Sequence, residues 1–125
     1  MILDTNAISA LLAGDTDLAE VLDVESRHHL PVIVLGEYRY GLLSSRHRKK
    51  LEKLLAELVS ESWIISPDEE TSLVYAQIRH GLKSSGKPIP ENDIWIAALA
   101  CQHDLHIVSR DVHFDHVPQV KRIVW

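Results

Sequence analysis

Residues 91–104 read ENDIWIAALACQHD, and the reading of this stretch decides the fold. Its side chains are apolar on nearly every face of a 3.6-residue period, which predicts a helix buried in the middle of a domain. Such a helix needs other layers around it. Downstream, HIVS (106–109) reads as a short strand, and KRIVW (121–125) reads as another. Upstream, SSGKPIP (84–90) is a loop, and Asp68 begins a helix in which Val74, Tyr75, Ile78 and Leu82 share a face. WIIS (63–66) is a strand. Before it, SSRHRKKLEKLLAELVS (44–60) sets Leu51, Leu54, Leu55, Leu58 and Val59 at i, i+3, i+4, i+7, i+8, an amphipathic helix. PVIVL (31–35), β-branched and opened by Pro31, predicts a buried strand, with a helix beginning at Glu37 and running through Tyr38, Tyr40, Leu42 and Leu43. MILD (1–4) opens the chain as a strand. Ile8, Leu11 and Leu12 follow with helical spacing until Gly14, and Asp15 to Asp17 cap a second short helix carrying Leu18, Val21 and Leu22. Strands alternating with helices, without an Asn-Gly hairpin signal, predict an α/β fold: a three-layer α/β/α sandwich around a mostly parallel central sheet. Residues 1–125 read as a single domain, without repeat, linker or low-complexity segment.

A chain of 125 residues with 46% hydrophobic content buries roughly two thirds of its unfolded surface without a disulfide or structural zinc. The one cysteine, Cys101, lies in the apolar stretch and reads as a small core residue in a reducing compartment. The longest apolar run is too short to span a bilayer, and the first residues carry an acid at position 4 and no basic segment. The expectation is a soluble, cytoplasmic protein. Its net charge of −5 argues against a nucleic-acid partner at first sight. Four of its eighteen acids form a candidate site, however, and the rest of the chain is then close to neutral.

Those four are Asp4, Glu37, Asp93 and Asp111, each at a point where an apolar run begins or ends. Singly, each has a plain reading. Asp4 caps the first helix with Asn6 as rival, Glu37 is a first-turn acid, Asp93 with Asn92 is a cap, and Asp111 begins a turn. Together they point elsewhere. Open parallel sheets gather their sites beyond the carboxyl ends of the strands. Four carboxylates brought together there repel one another and raise each other's pKa unless a cation compensates. A hard divalent ion with oxygen ligands is the simplest compensation.

LDTNAI (3–8), GEY (36–38), NDIWIAALA (92–100) and SRDVHF (109–114), in this order and spacing, resemble the PIN-domain nucleases over essentially the whole chain. The nearest subgroup is the VapC-type toxins of prokaryotic toxin–antitoxin pairs. The resemblance implies an α/β/α sandwich and a Mg2+- or Mn2+-dependent endoribonuclease whose site is built by the acids matching Asp4, Glu37, Asp93 and Asp111. Asp4, Asp93 and Asp111 are the expected metal ligands, and Glu37 acts through water or orients the nucleophile. Thr5 and Ser109 match supporting hydroxyl positions, with Asn6 beside them. In two places the chain departs from the family pattern. Ser109 replaces the more usual Thr, and His113 stands where another Asp often precedes the Phe, leaving Asp115 as the nearby candidate for an outer ligand. The implied partners are an RNA substrate, a small VapB-like antitoxin and a second copy in a homodimer. Leu11, Leu12, Leu18, Val21 and Leu22 offer apolar surface for a partner helix, or are ordinary core.

Arg46, Arg48, Lys49 and Lys50, and Lys83 and Lys87, are candidates for guiding an RNA backbone, although SSRHRKK also reads as a solvated helix start. Tyr38 and Tyr40 are base-stacking candidates or packing. The eight histidines join no Cys pair and no HExxH pattern, so they predict no zinc site and read mostly as surface residues. No G-x-S-x-G elbow is present. A phosphatase of the aspartyl type wants a second Asp where the chain has Asn6, and a phosphoacceptor receiver wants an acidic pair that is missing. The remaining alternative is a catalytically weak module that binds RNA or protein, against which four intact acids argue.

Overall fold

The computed structural model describes residues 1–22 and 27–125. Five short strands, β1 (Ile2–Leu3), β2 (His29–Pro31), β3 (Trp63–Ile65), β4 (Ile107–Val108) and β5 (Arg122–Ile123), form one sheet in the order β3-β2-β1-β4-β5. Every pairing is parallel. The helices are α1 (Thr5–Leu12), α2 (Thr16–Leu22), α3 (Val32–Leu42), α4 (Arg48–Ser60), α5 (Glu69–Ser84) and α6 (Glu91–Gln102), with a 3-10 turn at Val112–His116. Helix α1 packs on α2, α3 and α4, whereas α5 packs on α6, giving helical layers on a parallel sheet. From β1 the chain winds outward to β2 and β3, then returns to the other side of β1 for β4 and β5. The winding reverses between β1 and β4. In open parallel sheets that reversal opens a crevice at the strand carboxyl ends.

Helix α6 is the buried centre that its composition predicts. Ile96, Ala97, Ala98 and Leu99 are wholly inaccessible, and Ile94 and Ala100 nearly so. Each fully buried Ile or Leu contributes roughly 1.5–3 kcal/mol. Cys101, at its end, is half-buried rather than core. Three helices close in the same way, with a left-handed residue just past the last turn. After α1, Gly14 (φ 85°) donates to Leu11 O (3.1 Å) and Asp15 to Ala10 O (3.0 Å). Gly86 (φ 68°) does the same after α5, and Asp104 (φ 53°) after α6. Asp15 then accepts from Leu18 N (3.0 Å) and starts α2.

One expectation is overturned. PVIVL is not a strand: β2 is His29–Pro31, and Val32 already begins α3. Pro31, at φ −64° and ψ 139°, turns the chain from strand to helix. Val34, Leu35, Tyr38 and Leu42 are then buried at i, i+1, i+4, i+8, a helical stripe, while Val32 is 46% exposed. Burial of that stripe outweighs the strand preference of three β-branched residues. Glu37 therefore sits in the second turn of α3 and not at the start of the helix. Of the early apolar residues, Leu18 and Leu22 are core, and Leu11 and Leu12 pack partly buried against it.

Candidate metal centre

Asp4 follows β1 directly, and Ser109, Arg110 and Asp111 follow β4, so the two central strands deliver them side by side at the reversal of winding. The Asp4 carboxylate is 5% exposed and fully held. One oxygen accepts from Thr5 N (2.8 Å), and the other accepts from Ser109 Oγ (2.7 Å) and Asn6 Nδ2 (3.2 Å). Ser109 is a hub: its hydroxyl also accepts from Asn6 Nδ2 (3.1 Å) and from Asp111 N (2.9 Å). Asn6 Oδ1 accepts from Arg110 N (3.1 Å). Asn6 is thus not a rival cap for α1 but a clamp between the β1 and β4 ends.

Asp93 is the third residue of α6 and does not cap it; Pro90 occupies the cap position without a side-chain bond. Because α6 is buried, its first turn lies deep, and the Asp93 side chain is only 13% exposed. Asp111 caps the 3-10 turn by accepting from His113 N (2.9 Å), and the wholly buried Phe114 anchors that turn. Nδ1 of His113 then lies 3.4 Å from Asp93 Oδ2 and 3.2 Å from Asp111 Oδ1. Asp93, Asp111 and His113 offer ligand atoms all within 4.8 Å of one another. The histidines were read mostly as surface residues and His113 as standing where another Asp is usual, and histidine spacing alone gives no sign that it lies between the two acids. The signal was its place two residues after a candidate acid.

An open depression of about 490 Å³ is lined by Glu37, Pro90, Glu91, Asn92, Asp93, Asp111 and His113. A larger one, about 570 Å³, shares Glu37 and runs past Thr5, Tyr38, His47 and Lys50. The electrostatics couple the acids. Burial first, then Asp111 and Asp4, push Asp93 up to about 6, against the opposing pull of His113. Asp4 is raised by burial, opposed by its hydrogen bonds, with Asp111 adding to the rise. Burial raises Glu37, and Asp4 raises it further. Three carboxylates raised by burial and by neighbouring acids, with Asp111 and an imidazole nitrogen among them, form a donor set that fits a divalent cation. Thr5 Oγ1, buried with no hydrogen-bond partner among the described residues, lies beside it.

Other candidates fall elsewhere. Asp115 is gripped by Arg122 through two bonds (2.8 and 2.7 Å), which hold its carboxyl below the ordinary range, and it lines a separate depression with Lys87. The geometry therefore does not bring it to the acids. Arg46, Arg48, Lys49 and Lys50 are exposed at the start of α4; Arg48 pairs with Glu52 (2.7 Å), and Lys50 alone lines the depression that Glu37 shares. Lys83 lines a third depression with Arg79 and Glu91. Tyr38 is packed, whereas Tyr40 is 78% exposed.

Among curated proteins, the chain is 33% identical over 121 residues to Toxin FitB of Neisseria gonorrhoeae, covering 89% of this chain and 87% of that protein. It is 30% identical over 115 residues to Ribonuclease VapC5 of Mycobacterium tuberculosis, covering 90% and 84%. Among solved structures, FitAcB from Neisseria gonorrhoeae superposes with a TM-score of 0.83 at 30% identity, over 98% of this chain and 95% of that one. VapBC2 from Rickettsia felis, solved bound to a promoter DNA fragment, superposes with a TM-score of 0.90 at 23% identity, over 99% and 97%, a likeness of fold. The PIN domain family model matches residues 1–120, and with the acids gathered at the sheet's reversal point the chain belongs to the PIN-domain family.

Proposed function

We propose that this PIN domain is a divalent-metal-dependent endoribonuclease and the toxin of a toxin–antitoxin pair. The observation that carries the chemistry is the convergence of Glu37, Asp93 and Asp111, from three separate parts of the chain, on one depression, with the buried Asp4 near enough for its charge to raise both Asp93 and Glu37. The toxin role rests on relatives named as ribonuclease and toxin, and on a structural neighbour described as a member of the VapBC family of toxin–antitoxin systems. When bound, a Mg2+ or Mn2+ ion supplies a polarised water and positive charge against the phosphodiester. Asp4, Asp93 and Asp111 would hold that ion. Ser109, Asn6 and Thr5 N fix the Asp4 carboxylate so that it need not reorganise as charge develops. Glu37, on α3, orients the attacking water. Lys50, beside Glu37, guides the RNA backbone, with Arg46, Lys49 and Lys83 further out. The protein acts in the cytoplasm, dimerises and is silenced by a small antitoxin. Among the described residues no helix is long and apolar enough to cross a membrane.

Purified protein incubated with RNA cleaves it in Mg2+ or Mn2+, stops in chelator, and leaves 5′-phosphate and 3′-hydroxyl ends. Cyclic 2′,3′-phosphate ends, or full activity in chelator, overturn the metal-hydrolysis reading. Expression of the wild type arrests growth and a cognate antitoxin relieves it, whereas Asp93→Asn is harmless; equal toxicity of both proteins removes the catalytic explanation.

A further inference from the structure

We propose that His113 is a nitrogen ligand of the metal centre and tilts it toward a transition-metal ion such as Mn2+ over Mg2+. The inference rests on the divalent-ion reading above and concerns which ion the site selects. His113 is aimed at the site by its own backbone. Its backbone N–H is bound to Asp111 Oδ1, and its neighbour Phe114 is wholly buried, so the main chain at His113 is pinned beside the two acids. The side chain is itself 42% exposed, so packing does not account for where it points.

The separations suit a shared ion. With ligand bonds of about 2.1 Å, neighbouring ligand atoms lie roughly 3.0 Å apart at a right angle and about 3.4 Å apart at a tetrahedral angle. Nδ1 stands 3.2 Å from Asp111 Oδ1 and 3.4 Å from Asp93 Oδ2. The three residues each offer a ligand atom within 4.8 Å of the other two, so the group is a candidate for holding one ion. An imidazole also adds a donor without adding a fifth carboxylate to a crowded anionic site. The consequence is selectivity. Mg2+ takes oxygen ligands and keeps its water, whereas imidazole nitrogen suits the first-row transition ions.

The test uses the full chain with Mn2+ and Mg2+ as probes, in the wild type, His113→Ala and His113→Asp. Pulsed electron paramagnetic resonance of bound Mn2+ shows a 14N coupling in the wild type that is lost in both variants. By calorimetry, Mn2+ affinity falls at least about ten-fold in His113→Ala, the loss typical even of groups one shell removed from a metal. Mg2+ affinity is little changed there and gains on Mn2+ in His113→Asp. Mn2+ bound to the wild type without nitrogen coupling, at a Mn2+/Mg2+ ratio common to all three proteins, overturns the inference and leaves the metal site standing. No binding of either ion overturns both. The wild-type spectrum decides even if a variant fails to fold.

Discussion

Helix α6 has an acid at each end, and the two behave in opposite ways. At its carboxyl end, Gln102 Nε2 (2.9 Å) and Thr71 N (3.0 Å) donate to Asp68 Oδ1, and these bonds hold Asp68 below the ordinary carboxylate range. At its amino end, Asp93 is pushed up to about 6. Helix polarity favours the anion at both, by about 0.3–1 kcal/mol, since Asp68 caps the amino end of α5 and Asp93 lies in the first turn of α6. Burial and two like charges outweigh it, because Asp93 has no neutral donor beyond His113 while Asp68 is ringed by them. Donors and neighbouring charge, rather than position on the helix, decide whether an acid is content as an anion. One end is built to hold α5 on α6, the other to await a cation.

The comparison breaks most visibly at Asp93. In Asp93→Asn, RNA cleavage is expected to fall by about 100- to 1,000-fold, the usual loss when charge stabilisation is removed from a site. Divalent metal at about 100 times its dissociation constant stabilises the wild type by roughly 2.7 kcal/mol and the variant clearly less, read by thermal melting. A wild-type metal response in the variant would show that Asp93 is no ligand.

A second, smaller effect is the pH dependence of that pair without metal. Asp93 has a folded pKa near 6 against an ordinary 3.8, so the folded protein holds a proton that the unfolded chain has already released between these values. The stabilisation from that proton is full below about pH 4 and lost as pH rises through 6. In chelator, Asp93→Asn is therefore expected to exceed the wild type by about 2–3 kcal/mol at neutral pH and to match it near pH 4. A gap that instead opens on acidification would mean that Asp93 is stabilised as an anion, like Asp68.

Ser109→Ala is expected to cost about 2 kcal/mol, because it removes the donor to a buried carboxylate and the acceptor of Asn6 and Asp111 N. Chemical denaturation measures it. The smallest effect belongs to the far end of α6: Asp68→Ala loses the capping box and lowers the melting temperature by a few degrees, with cleavage and metal response unchanged. A loss of metal response there would erase the distinction between the two ends.

Much of this was legible from residue order. The burial of α6, the caps at Asp15 and Asp68, the alternation of strand and helix and the places of Asp4, Asp93 and Asp111 near element starts are local signals, and the structure follows them, whereas Glu37 lies inside α3. The start of α3 was not legible, because Val32–Val34 favour a strand locally and only the spacing of Tyr38 and Leu42 behind them reveals the helix. The site's second tier was also hidden. That Asn6 reaches Ser109 and Arg110, that Arg122 takes Asp115 away, and that His113 faces Asp93 all depend on pairings across about a hundred residues or on the aim of a single turn. Sequence spacing carries no information about the first two, and for His113 only its place two residues after Asp111.

The Ser109 hydroxyl bears on how an inactive allele should be chosen. A hydroxyl has one proton and two lone pairs; here the proton goes to Asp4, and Asn6 and Asp111 N take the acceptor side. Both oxygens of Asp4 receive donors. An asparagine at position 4 must therefore turn its amide NH2 toward a group that is itself donating, so Asp4→Asn injures the scaffold as well as the charge. Asp93 faces an imidazole, which donates or accepts according to its tautomer. Asn at 93 can be met by either form, so that allele removes the charge without leaving two donors face to face.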